Sequence, residues 1–118
     1  MATRYRKDVM VVEHQYAWTL GWGDTTNNFV WNEDQLTPGY PASPAGQLSM
    51  ANDILSMLAR VPGRHGAGFF YWEPEWIPGV GWEPGAGTPN DNLTLFDFEG
   101  NALPSIQMFE DPVAASVK

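Results

Sequence analysis

The sequence predicts an α/β fold built on parallel strands. Residues 8–13 ("DVMVVE") and 66–72 ("GAGFFYW") hold continuous apolar runs rather than alternating ones, the pattern of strands covered on both faces. Residues 44–61 between them carry helical spacing of apolar side chains. Strand, helix and strand in this order make a parallel pair joined by a right-handed crossover.

Each element has its own warrant. "MATRYRKDV" reads as the end of a helix feeding the first strand. That strand ends on Glu13, with His14, Gln15, Tyr16 and Trp18 close behind. Residues 19–44 are polar and rich in Gly, Asn, Asp and Pro. They form a loop long enough to suggest function. Ser43 suits the N-cap and Pro44 the first turn of the helix. Leu48, Ala51, Leu55 and Leu58 make one apolar stripe, and Met50, Ile54, Met57 and Val61 an adjacent one. The broad face suits a helix laid on a sheet, and Pro62-Gly63 ends it. The second strand also ends on an aromatic and an acid, Trp72-Glu73, before a Gly/Pro/Trp loop over residues 74–92. Residues 93–98 read as a short strand or extended segment, Gly100-Asn101 as a turn and residues 103–111 as a closing helix. Residues 1–111 form the domain portion and 112–118 a tail.

Composition narrows the partners. Fourteen acidic against six basic residues give a net charge of -8. Phosphate backbones and anionic membranes are recognised by Lys and Arg, so neither nucleic acid nor membrane is expected. Cysteine is absent, which removes disulfides and thiolate metal sites. No apolar run approaches the roughly 18 residues of a membrane span, and the basic start has no apolar signal core. Two buried parallel strands cannot close a fold alone, and an eight-stranded barrel takes about 250 residues. The chain is therefore expected either to be part of a larger domain or to assemble with partners.

Both long loops follow the C-terminal ends of strands, the edge that carries chemistry in barrels and open α/β sheets. Glu13 suits a nucleophile or general acid there, and the surrounding rings suit a sugar site. Retaining glycosidases use two such carboxylates, roughly 5–5.5 Å apart. The same Glu13 also reads as a solvated residue where a strand stops.

"RYRKDVMVVEHQYAWT", "GFFYWEPEWIP" and "DNLTLFDFEGNALPS" resemble, in that order, the C-terminal third of the endo-β-1,4-galactanases of glycoside hydrolase family 53. The resemblance implies the last two βα units of a (β/α)8 barrel, retaining hydrolysis of β-1,4-galactan in arabinogalactan, and a secreted parent protein. It implies Glu13 as the catalytic nucleophile at the end of the seventh strand and Trp72 as the floor of the subsite for the attacked sugar. Tyr16, Glu73 and Trp76 match motif positions around that cleft, and His14 and Trp18 join them as expected substrate contacts. His14 departs from the small residue that follows the nucleophile in many relatives. The family's acid/base, a Glu in an Asn-Glu pair after the fourth strand, has no counterpart. Asn32-Glu33 is the one such pair and follows no strand. The chain alone is expected to be inert, its partner being the N-terminal part of the barrel.

No cofactor is required for this chemistry. Bacterial relatives often hold calcium in the loop corresponding to "GWGDTTNNF", where Asp24 and Asn28 fit the ligand spacing. Calcium wants 6–8 oxygens, and the loop offers few carboxylates, so a polar loop without metal is the competing reading. Trp18, Trp22, Trp31 and Trp82 suit either sugar stacking or loop packing. His65 reads as a surface residue. Asn92-Leu93-Thr94 is a glycosylation sequon by pattern, with a structural role expected for Asn92. The rival to catalysis is a carbohydrate-binding module that uses the same Trp-rich loops without cutting.

Overall fold

The computed structural model describes residues 2–81 and 85–110. Trp82 and the tail expected over 112–118 lie outside them, as does the domain limit at 111. A short helix α1 (Ala2–Tyr5) leads into strand β1 (Val9–His14). Helix α2 (Pro44–Ala59) follows, then strand β2 (Gly66–Tyr71) and a terminal 3-10 helix (Pro104–Phe109). β1 and β2 pair in parallel, with α2 as their crossover. Asp8 and His65 clip the two strand starts together through a 2.8 Å contact, and the Val9 amide donates to the His65 carbonyl.

α2 forms as its caps dictate. The Ser43 side chain accepts the Gly46 amide at 3.0 Å, and Pro44 opens the first turn. Gly46 is required by contact, since a Cβ there would overlap the Pro41 carbonyl. Ala51 and Leu58 are buried, and Leu48 and Leu55 pack beside the core. The second stripe is less covered, and Met57 is exposed. A 3-10 helix replaces the expected closing helix over Pro104–Phe109. The extended segment before it is reduced to an isolated antiparallel bridge, Phe96 to Ala102.

Within this chain only one face of the strand pair is covered, as expected of two strands that cannot close a fold alone. Phe69 and Tyr71 pack toward Ala51, Leu95 and Met108. Met10, Val12 and Phe70 are exposed, Phe70 by 62%. A two-stranded sheet with one crossover helix covers only one face, and covering the other takes further elements. The interior is also unusually polar. The largest side chains with under 2% exposure are Gln47, Asn90, Asn92, Thr88, Thr94, Asp91 and Ser105. Hydrogen bonds as well as apolar contact therefore decide how the loops sit. Among the described residues no helix is long and apolar enough to cross a membrane.

Candidate active site

Glu13 sits at the C-terminal end of β1, where the ladder is irregular. Val11 pairs with Phe69 and His14 with Tyr71, so three residues of β1 span two of β2. The extra residue makes a bulge, and bulges re-aim side chains. Glu13 takes φ 61°, in the left-handed region that costs a residue with a Cβ about 1–2 kcal/mol. Its side chain is exposed and meets no hydrogen-bond or ion-pair partner among the described residues. Glu73, one residue beyond Trp72, repeats the strain with φ 44°. Its carboxyl is pushed above the usual range, first by desolvation and then by the Glu75 charge.

Trp72 lies beside this strand end. Its amide donates to the His14 carbonyl at 2.8 Å, extending the parallel ladder by one bond. The indole is 41% exposed. Glu13 and Trp72 thus stand on adjacent strand ends, on the edge from which both long loops leave. Trp76 is half-buried, and a Cβ at Gly81 (φ 73°) would overlap its ring, so the glycine lets the loop close over the indole.

Three other expected sugar contacts are placed in the packing. His14 lies edge-on to Phe69 and Tyr71, with centroids 5.3 and 5.7 Å away. Burial pushes its imidazole pKa down from the ordinary histidine value, so folding favours the neutral ring. As pH falls through about 6.5 the unfolded chain takes the proton first, so this part of the stability is present above that pH and lost toward the lower folded value. Wild type should lose urea stability relative to His14→Phe between about pH 7 and pH 5. Parallel curves for the two would exclude a buried neutral imidazole. Tyr16 is buried. Its hydroxyl donates to the Tyr40 carbonyl at 2.7 Å and accepts the Thr37 amide at 3.0 Å, bracing the first loop. Trp18 is half-buried, its ring 4.8 Å from that of Phe98. Trp22 and Trp31 remain exposed.

The two loops are tied to each other by polar side chains. Both Asn92 Nδ2 protons are used, on the Thr19 and Val30 carbonyls at 2.8 and 2.7 Å. Asp24 accepts the amides of Thr26 and Thr88 at 2.6 and 2.9 Å. Asp91 is fully buried and accepts the Gly23 amide at 2.7 Å. Burial, joined by the nearby Asp24 charge, pushes its carboxyl upward. Asp91 Oδ1 and Asn28 Oδ1 are buried without a hydrogen-bond partner. Among the described residues no group of three or more His, Cys, Asp or Glu is placed to hold a metal, so a cation here would draw on these two carboxylates and on amide oxygens.

Two residues at this edge escaped the sequence analysis, Gln47 and Tyr71. Gln47 is fully buried in the second turn of α2, and Tyr71 closes β2 beneath Trp72. Gln47 did carry a signal: it lies four residues before Ala51, a polar side chain on the stripe that faces the core.

The profile described as "Glycosyl hydrolase family 53" matches residues 1–109. An uncharacterized protein of Niallia circulans is 48% identical over 107 residues, covering 89% of this chain and 29% of the relative. The endo-β-1,4-galactanase of Bacillus subtilis (strain 168) is 34% identical over 141 residues, covering 93% of this chain and 32% of that enzyme. Among solved structures, the Ignisphaera aggregans GH53 catalytic domain superposes with a TM-score of 0.83 at 41% identity, over 93% of this chain and 31% of that one. The chain spans about a third of the length of the curated relatives it matches.

Proposed function

The chain belongs to glycosyl hydrolase family 53 as the C-terminal part of a (β/α)8 barrel, and from that premise we propose that it carries the nucleophile of a retaining endo-β-1,4-galactanase. The supporting observation is the strained, unpartnered Glu13 on a bulge at the strand end next to Trp72. Strain of this kind persists where surroundings impose it, most often at functional sites.

In this reading the Glu13 carboxylate attacks the anomeric carbon of a galactosyl unit. The glycosidic C–O bond breaks as a second carboxyl group protonates the leaving oxygen. That group then takes a proton from water, whose oxygen cleaves the glycosyl ester and regenerates Glu13. Trp72 offers a ring face to the sugar's C–H side, and Glu73 and Trp76 line the same rim. The acid/base comes from the remaining βα units, which are also the partner that covers Met10, Val12 and Phe70. The parent acts on an extracellular polysaccharide, so it is secreted. The test is release of reducing ends from β-1,4-galactan. A chimaera in which this chain replaces the matching segment of the Bacillus subtilis enzyme should release them, and the 118-residue chain alone should not. A folded chimaera that binds galactan without cutting it would favour a non-catalytic binding module.

A structural calcium is proposed at Asp24, Asn28 and Asp91. It would tie the two loops by charge, and no catalytic step passes through it. Chelation should lower the unfolding temperature of wild type and leave Asp24→Ala unchanged. Equal unfolding curves with calcium and with chelator would remove the metal.

A further inference from the structure

We propose that Gln47 and Tyr71 are positioning residues that set the two strand ends bearing Glu13 and Trp72 in register. The inference rests on the reading of Glu13 as nucleophile. Gln47 Nε2 donates to the Tyr16 carbonyl at 2.8 Å, to the Thr94 carbonyl at 2.9 Å and to the Tyr71 hydroxyl at 3.0 Å. Two protons serve three acceptors, so one bond is shared. The Tyr71 hydroxyl accepts the Tyr16 amide at 3.2 Å and donates to the Leu93 carbonyl at 2.7 Å. Burial pushes its pKa far up, so the hydroxyl keeps its proton across the working range.

Three segments therefore meet on two side chains: the chain three residues beyond Glu13, the residue before Trp72, and residues 93–94. The third segment is bound to the rim again, since the Leu95 amide donates to the Pro74 carbonyl at 2.8 Å and the Trp18 amide to the Asn92 carbonyl at 3.0 Å. Neither Gln47 nor Tyr71 is placed to touch substrate. Gln47 is fully buried, and the Tyr71 hydroxyl is spent on protein groups. Removing the hydroxyl takes away the bond of the Tyr16 amide to β2, and removing the amide takes away the bond of the Tyr16 carbonyl to α2, so the backbone beyond His14 is held less firmly. A displacement of about 1 Å at a reacting group costs on the order of 10²-fold in rate.

The test uses the chimaeric barrel and a 2-deoxy-2-fluoro-galactosyl inactivator that labels the nucleophile covalently. Tyr71→Phe and Gln47→Met should each slow labelling of Glu13 by about 10- to 100-fold per folded molecule. On galactan, kcat should fall while KM stays within about threefold. Leu55→Ala, which loosens the core without touching this network, should leave the rate per folded molecule unchanged. In the same chimaeric barrel, hydrogen exchange at the Tyr16 amide should quicken in Tyr71→Phe, a second reading that needs no activity. Wild-type labelling rates in both variants, or unchanged Tyr16 exchange in Tyr71→Phe, would overturn the positioning role. A label found in wild type at a residue other than Glu13 would instead overturn the nucleophile reading beneath it.

Discussion

Glu13→Gln in the assembled barrel lowers galactan hydrolysis by at least about 10³-fold, the scale seen when a covalent nucleophile is removed. The amide has the carboxylate's shape and lacks its charge, so attack on the anomeric carbon stops. Stability should stay within about 0.5 kcal/mol, as for an exposed substitution that disturbs no network. Glu13 is exposed, and its backbone is held by the bulge rather than by its own side chain. The measurement is reducing-end release beside a urea titration of the same preparation. Turnover within tenfold of wild type from the folded variant would remove Glu13 from the chemistry. Chain cleavage restored by azide, with an inverted galactosyl azide as the product, would support the nucleophile role further.

Trp72→Ala is the second large effect. The indole is 41% exposed and anchored through its backbone amide, so truncation leaves the 2.8 Å bond to His14 in place. The loss falls on binding. A central aromatic anchor is worth about 2–4 kcal/mol when truncated, or roughly 30- to 10³-fold in kcat/KM. Trp72→Phe, which keeps a ring face, should retain most of the activity. If Trp72→Ala keeps kcat/KM within about threefold, the sugar does not rest on this ring.

The split between the aromatic residues shows where sequence stops being informative. Trp72, Trp18 and Tyr16 all sit within a few residues of a strand end and look alike as sequence. Whether a ring faces solvent or packing depends on what the other chain segments bring to it. Phe98 arrives from 80 residues away to cover Trp18, and Thr37 and Tyr40 take up the Tyr16 hydroxyl. Gln47 is a similar case. Its place on the apolar stripe was visible, but its partners lie 24 to 47 residues distant in sequence.

The sequence by itself determined the strand–helix–strand order, the capped start of α2 at Ser43, the parallel pairing and the placing of an acid and a ring at adjacent strand ends. These follow from local periodicity, proline and cap chemistry, which act within a few residues. Only the tertiary structure decided that β1 bulges at Glu13, that the strained φ recurs at Glu73, and that His14 turns to packing. It also decided that a buried amide and hydroxyl join both strand ends to the second loop. A bulge and a shared hydrogen bond are properties of paired segments, and the pairing energy that selects them appears only when both segments are in place.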